Sequence, residues 1–232
     1  VRKFCNPYNL MYNIKTDRIF KKEFTMNTIP KASKEVLARL LKGNEKFVNG
    51  KYEAKNITIE TLRQLAEHQN PHACILSCSD SRVVPELIFE AGIGELFVVR
   101  VAGITVGPNV RESIEYAVKK LHVPLLMLLG HDNCGVMDYA KTSYPEEQEH
   151  FKSILKCVYP AIDIDSASLE SNETLAKHHT LWVEEFLLNH SDIIKDAVAK
   201  GNLYIAKCHL CHQTGRVWLI DENLEEVKLD NI

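Results

Sequence analysis

Residues 73–82 read ACILSCSDSR, and residues 125–135 read LLMLLGHDNCG. Each segment opens with a short apolar run, typical of a strand buried on both faces of a parallel sheet. Each run then ends in residues suited to chemistry, such as Cys78, Asp80 and His131. Ligands of open parallel sheets bind outside the carboxyl ends of the strands. These two segments therefore predict a sheet with a site at one of its edges.

The flanking sequence extends this pattern. A further apolar run covers residues 96–99, and residues 111–121 carry apolar side chains at helical spacing between that run and residues 125–129. Alternating strands and helices predict an α/β fold, with a mostly parallel central sheet flanked by helices on both faces. We expect Val217–Ile220 to form a late edge strand.

Several helices are predicted around this sheet. Ser33 is a plausible N-cap for a helical arm that is interrupted near Gly43. Further helices are expected over about residues 58–68 and 175–188, with a loop plus a helix over residues 141–172.

Composition excludes several classes of protein. The 232 residues are 45% hydrophobic and carry a formal net charge of −3, which gives no support for nucleic-acid binding. The longest apolar run, Val123–Leu129, is much shorter than the roughly 18 residues that span a bilayer. Seven cysteines, an odd number without a secretory signal, favour reduced thiols in an intracellular protein.

The N-terminal segment differs from the rest of the chain. Its first 26 residues hold six basic and two acidic side chains, 6 − 2 = +4. We interpret residues 1–32 as a loose arm, an artificial extension or a targeting segment, and residues 33–232 as one catalytic domain. A cytoplasmic protein is expected, or a mitochondrial one if the basic segment is a presequence.

Cys78, His131 and Cys134 offer two thiolates and one imidazole. Zn²⁺ accepts S and N ligands in tetrahedral geometry, and three protein ligands leave one position open, as in catalytic sites. The spacing alone leaves two alternatives open, because a His-x-x-Cys pair arises by chance and buried cysteines often serve as small hydrophobic residues.

Asp80 and Arg82 favour the catalytic interpretation. Side chains two residues apart on an extended segment point the same way, so this carboxylate and guanidinium can pair. Arg82 would keep Asp80 ionised and oriented. The alternative is a loop salt bridge of little consequence. A tyrosine-phosphatase-like loop fits less well, since it needs five residues between Cys and Arg and this chain has three.

These motifs together resemble the double signature of the β-class carbonic anhydrases. The signature segments are Cys78-Ser79-Asp80-Ser81-Arg82 and His131-x-x-Cys134-Gly135. Residues 97–103, 107–109 and 113–118 also match the family pattern. The resemblance covers roughly residues 33–220 and is dense between residues 69 and 137.

The resemblance implies the chemistry of the site. The enzyme would hydrate carbon dioxide reversibly to bicarbonate and a proton, with one zinc ion per chain held by Cys78, His131 and Cys134. Asp80, paired with Arg82, would accept a hydrogen bond from a zinc-bound hydroxide nucleophile. The residues assigned to the substrate slot are Gln69, Phe97, Tyr116 and Gly135. Family members are built on a dimer embraced by an N-terminal helix, so a homodimer or a dimer of dimers is expected.

The sequence departs from the family at two places. Ile104 stands where most bacterial relatives have Asn, which suggests moderate activity or a shifted substrate. Residues 208–212 read CHLCH, where ordinary strand and loop residues, a second zinc site, a redox pair or haem attachment are alternatives. The proton shuttle is not identified, and His68, His72 and His122 are candidates by chain position only.

Two rival functions follow from the same ligands. One is hydrolysis of carbon disulfide or carbonyl sulfide, which relative turnover on CO₂ and CS₂ would separate from hydration. The other is a catalytically silent, zinc-bound scaffold, which would not need Asp80 and Arg82.

Overall fold

The computed structural model describes residues 29–53, 56–144, 149–164 and 171–227. Within these ranges the strands are β1 (Ala73–Ser77), β2 (Leu96–Arg100), β3 (Leu125–His131), β4 (Tyr204–Leu210), β5 (Val217–Ile220) and β6 (Glu226–Val227). The α-helices in the same ranges are α1 (Lys31–Val48), α2 (Ile59–Gln64), α3 (Pro85–Ile88), α4 (Pro108–Lys119), α5 (Gly135–Ser143), α6 (Lys152–Ile164), α7 (Asn172–His190) and α8 (Asp192–Ala199). A short 3₁₀ helix covers Ala102–Ile104.

The six strands form one sheet in the order β2-β1-β3-β4-β5-β6. The neighbours β2-β1, β1-β3 and β3-β4 run parallel, whereas β4-β5 and β5-β6 run antiparallel. All residues of β1 and β3 are buried, as their continuous apolar runs predict. The predicted α/β class with a mostly parallel sheet is confirmed.

Helices cover both faces of the sheet, because alternate side chains of each strand point to opposite sides. Leu126 and Leu128 of β3 pack with α4, α5, α6, α7 and α8 on one face. Leu125, Met127 and Leu129 pack with α1 and α3 on the other face. The carboxyl ends of β1 and β3 emerge between these two layers.

The predicted start and interruption of α1 are both wrong. The helix is capped at Pro30, and the buried Ser33 donates its hydroxyl hydrogen bond to the carbonyl of Pro124 instead, at 2.8 Å. The helix continues through Gly43, where an added Cβ would lie 2.0 Å from the carbonyl oxygen of Phe89. Gly43 therefore serves a close approach of helix and backbone, a need that a propensity argument does not reveal.

Other predicted elements are confirmed with changed limits. Helix α7 extends the predicted residues 175–188, and α4 begins three residues before the predicted 111–121 because Pro108 suits a first helical turn. Helix α2 is shorter than predicted, ending at Gln64. Strand β5 forms as expected but is not an edge strand, since β6 pairs with it.

Some expectations fall partly outside the described residues. The N-terminal segment is described only from Ile29 onward, and the boundary proposed at residue 33 falls inside α1, so the division into arm and domain stays a prediction. The helix expected within residues 141–172 is α6. Among the helices described here, none has the length and apolar character that a membrane crossing requires.

Candidate metal centre

The ends of β1 and β3 bring three metal-binding side chains together. Cys78 follows β1 directly, His131 is the last residue of β3, and Cys134 is the N-cap of α5. Ser77 pairs with Leu129 in the parallel register, so the two strands end side by side. The ligand atoms of the three residues all lie within 4.8 Å of one another, and all three residues are buried. The convergence that the sequence predicts is therefore present.

The imidazole of His131 is oriented for coordination through Nε2. Its Nδ1 lies 2.8 Å from the carbonyl oxygen of Asp132, which can only accept a hydrogen bond, so Nδ1 carries the proton. Nε2 is buried and has no hydrogen-bond partner. A buried polar atom without a partner is costly unless something else binds it. The free lone pair facing two thiols fits a metal of the zinc type.

The two thiols differ in their affinity for a proton. The thiol of Cys134 is the main reason that the pKa of Cys78 is lowered, and the backbone N–H groups of Gly103 and Asp80 add to this effect. They lie 3.3 Å and 3.4 Å from Sγ. The same interaction with Cys78, together with burial, raises the pKa of Cys134. Cys78 is thus prepared as a thiolate, which is the form that ligates metals.

Asp80 and Arg82 form a two-point ion pair beside this cluster. Arg82 Nε donates to Oδ1 of Asp80 at 2.9 Å, and Nη2 donates to Oδ2 at 2.7 Å. These hydrogen bonds hold the pKa of the Asp80 carboxyl well below its usual range. Arg82 also donates to the carbonyl of Asn133 at 3.1 Å, which links the loop after β1 to the loop after β3.

A second arginine, Arg100 at the end of β2, holds the backbone of the same turn. Its Nε donates to the carbonyl of Cys78 at 3.2 Å, and its Nη2 donates to the carbonyl of Asp80 at 2.7 Å. Sequence reasoning assigned Arg100 no role of its own. Its position at the end of the neighbouring strand, at the same sheet edge as Cys78, could have indicated that it contacts the ligand turn.

A cavity of about 10 Å³, room for about one water-sized sphere, lies among the three candidate ligands. Its other walls are Gly103, Ile104, Gly130, Met137 and Ala176. Ile104 is only 2% exposed and has φ of 48°, a left-handed conformation that is rare for a β-branched residue. The wall beside the ligands is therefore apolar, and part of it is held in a strained backbone conformation.

Comparison with known proteins agrees with this geometry. A family model described as Carbonic anhydrase matches residues 73–217, which include all three candidate ligands. Carbonic anhydrase 2 of Mycobacterium tuberculosis is 33% identical over 199 residues, which cover 84% of this chain and 95% of that protein. The chain belongs to the carbonic anhydrase family. It is an enzyme of that family, whose reaction is the hydration of carbon dioxide.

Solved structures place the chain in the β class of carbonic anhydrases. A Coccomyxa β-carbonic anhydrase in complex with acetazolamide is 28% identical, with a TM-score of 0.60 over 78% of this chain and 84% of that one. A tetrameric β-carbonic anhydrase from Sordaria macrospora is 24% identical, with a TM-score of 0.61 over 80% of this chain and 96% of that one. The second likeness supports the fold alone. The resemblance inferred from the motifs is confirmed.

The residues that the carbonic anhydrase resemblance assigns to the substrate slot do not line the cavity. Gln69 is exposed before β1, and Gly135 is the first residue of α5. The rings of Phe97 and Tyr116 lie 6.3 Å apart, and Tyr116 is 49% exposed. The role of these four residues in substrate binding therefore stays a prediction.

The histidines near the carbonic anhydrase site are not those considered as proton shuttles. His68, His72 and His122 are all exposed and do not line the cavity. His212 instead packs against the zinc-ligand candidate His131, with ring centroids 4.9 Å apart. In the sequence, the CHLCH segment that contains His212 was the one feature that could have indicated a histidine near the candidate ligands.

The same segment does not form a second metal centre in this carbonic anhydrase. In the described part of the chain, the one cluster of three metal-binding side chains is Cys78, His131 and Cys134. Cys208 is a free thiol buried against the face that carries α1, and Cys211 is a half-buried free thiol. Cys208 is therefore an ordinary core residue of β4.

Proposed function

We propose that the chain hydrates carbon dioxide with one zinc ion held by Cys78 Sγ, His131 Nε2 and Cys134 Sγ. The observation that carries the proposal is the buried, unpartnered Nε2 facing two thiols within 4.8 Å. Three ligands leave one position of a tetrahedral zinc open, as catalytic sites require. A zinc ion bound there would supply a hydroxide nucleophile at neutral pH, because it lowers the pKa of a coordinated water to about 7.

Asp80 orients the nucleophile rather than removing its proton. Both carboxylate oxygens accept hydrogen bonds from Arg82, and the lowered pKa keeps the carboxyl group ionised at neutral pH. An ionised carboxylate can only accept hydrogen bonds. Asp80 would therefore accept the O–H of the attacking group and leave its lone pair free to reach carbon. Only 16% of the Asp80 side chain is exposed, so bulk water competes weakly for the carboxylate.

The surroundings suit a small, uncharged substrate. The side chains of Ile104, Met137 and Ala176 make the cavity wall apolar, and none of them carries a charge. Carbon dioxide needs such a surface and one or two hydrogen-bond donors rather than an ionic clamp. Gln69, Phe97, Tyr116 and Gly135 are proposed to supply the rest of the slot.

We propose that this slot is completed in a homodimer or a dimer of dimers. The half-exposed Tyr116 and its neighbour Phe97 lie at the β2 edge of the sheet, outside the cavity of their own chain. An aromatic pair at a sheet edge is suited to contact with a second chain. The tetrameric β-carbonic anhydrase from Sordaria macrospora shows that this fold is compatible with such an assembly. Sedimentation analysis of an active sample should give a dimer or tetramer, and a fully active monomer would contradict this.

The test combines stopped-flow hydration of CO₂ with zinc analysis of the same sample. We expect about one zinc per chain and rapid hydration, and Asp80→Asn should retain zinc but lose about a hundred-fold in kcat. Asp196→Asn is the matched control, because Asp196 forms a solvent-exposed ion pair with Lys200 at the end of α8. This variant should have the zinc content and the hydration rate of the wild type.

Three outcomes would contradict parts of this proposal. A sample without zinc would refute the ligand set, and an unaffected Asp80→Asn would refute the orienting role. Stoichiometric zinc with faster turnover of CS₂ than of CO₂ would favour the hydrolase alternative. Zinc without turnover of either substrate would favour the scaffold.

A further inference from the structure

The last residue of β4 and the loop that follows it hold Asp132, the neighbour of the zinc-ligand candidate His131, at two points. The backbone N–H of Asp132 donates to the carbonyl of Leu210 at 3.2 Å. The backbone N–H of His212 donates to Oδ1 of Asp132 at 2.9 Å, and Nδ1 of the His212 ring lies 3.2 Å from the same oxygen. Both the main chain and the carboxylate of Asp132 are therefore fixed by residues that lie about eighty positions away.

Asp132 passes this constraint to His131. Its carbonyl oxygen is the atom that accepts the Nδ1–H of the His131 ring at 2.8 Å. In metal sites, the acceptor opposite the coordinating nitrogen fixes the tautomer and the ring orientation. Here that acceptor belongs to a residue that cannot rotate without breaking its contacts to the loop after β4.

The His212 ring adds a direct contact. It packs against the His131 ring at a centroid distance of 4.9 Å and an interplanar angle of 44°. The side chains of His212 and Asp132 are only 13% and 17% exposed. The His212 ring is thus largely enclosed by protein beside Asp132 and His131.

We propose that His212 is a positioning residue for the metal centre, acting through Asp132 on the imidazole of His131. This inference rests on the proposed zinc site. It gives a function to the end of the CHLCH segment, which otherwise forms no metal cluster among the described residues. His212 binds neither substrate nor metal in this scheme. It limits the orientations of Nε2, so the zinc affinity of the site is higher than three unsupported side chains would give.

The experiment measures zinc affinity by competition with a chelator, independently of turnover. His212→Ala and Asp132→Ala should each weaken zinc binding about ten-fold, the lower end of the usual effect of replacing a residue that supports a metal ligand. If His212 acts through Asp132, the double variant should lose about ten-fold as well, instead of the roughly hundred-fold expected of independent residues. His212→Asn, whose amide nitrogen can approach Asp132 as Nδ1 does, should recover part of the loss.

Two controls separate positioning from general destabilisation. His190→Ala removes another stacked histidine, which lies 4.2 Å from the ring of Phe186, and should leave the zinc affinity unchanged. The absorption spectrum of the cobalt-substituted protein reports ligand geometry, and it should change in His212→Ala but not in His190→Ala. Asp132→Asn replaces Asp132→Ala if the latter does not fold.

The outcomes distinguish this inference from the proposed function. A wild-type protein that binds no zinc would overturn both. A wild-type protein that binds zinc, with unchanged affinity and cobalt spectrum in His212→Ala, would overturn the positioning role alone. Independent losses that multiply in the double variant would also overturn it, because His212 would then not act through Asp132.

Discussion

Acid should destabilise this protein through a histidine that is buried far from solvent. His179 of α7 is 0% exposed and stacks on Trp182, with ring centroids 5.7 Å apart. Burial lowers its pKa to about 4, and the nearby backbone of Gly103 offsets this only in part. In the unfolded chain a histidine titrates near 6.5. As the pH falls below that value, the unfolded state therefore binds a proton that the folded state does not.

The size and sign of the effect follow from these two pKa values. Above pH 6.5 the side chain is neutral in both states, and its contribution to stability is complete. Between pH 6.5 and pH 4 the free energy of unfolding should fall, by about 2 kcal/mol at pH 5 and about 3 kcal/mol in total. Below pH 4 the loss should level off, because His179 is then protonated in both states.

The assay compares urea unfolding of wild type and His179→Phe at pH 7, 6 and 5, followed by tryptophan fluorescence. Other groups titrate in both proteins, so the difference between the two isolates His179. The variant should lose about 2 kcal/mol less than wild type between pH 7 and pH 5. His68→Phe, at an exposed position, is the control and should behave as wild type. Equal losses in wild type and His179→Phe would refute the reasoning.

Three further predictions concern single positions. Arg100→Met removes both donors from the backbone of the ligand turn and should lower kcat about ten-fold in stopped-flow hydration; unchanged turnover would contradict this clamp. Gly103→Ala should lower the free energy of unfolding, measured in urea, by about 2 kcal/mol, because φ is 65° and the new Cβ would lie 2.7 Å from Val136 Cγ1. An unchanged free energy of unfolding would show that the backbone relaxes. Lys207→Met leaves Glu184, whose side chain is 18% exposed, without its partner at 2.8 Å. It should lower the free energy of unfolding by about 2 kcal/mol, which Glu184→Met in the same chain should largely recover. Equal stability of the single and double variants would contradict that pairing.

The metal cluster was predictable because its geometry is set by local patterns. Cys78 and His131 each end a continuous apolar run, and parallel strands of one sheet end at the same edge. Cys134 follows His131 by one short turn. The pairing of Asp80 with Arg82 is equally local, since two residues on an extended segment share a side.

Other features depend on contacts between distant parts of the chain. His212 reaches Asp132 across 80 positions, and the direction of the chain after β4 is not encoded in any local periodicity. Ser33 suits an N-cap by type, but its hydroxyl group bonds to Pro124 across the core because α1 already begins at Lys31. The family pattern assigns Phe97 to a slot, yet no pattern within one chain says which chain's cavity it serves.

The left-handed backbone at Ile104 has a consequence for how this enzyme can change. That conformation costs a branched L-residue about 1–2 kcal/mol, whereas burying the isoleucine side chain contributes about 1.5–3 kcal/mol. Any other L-residue at this position would keep the conformational cost and would also lose part of the burial. Glycine alone would relieve the cost as it loses the burial, so the two terms largely offset each other only for that change. The apolar wall beside the candidate ligands can therefore be opened by glycine at a small net cost in stability, whereas a polar or smaller L-residue leaves the strain in place.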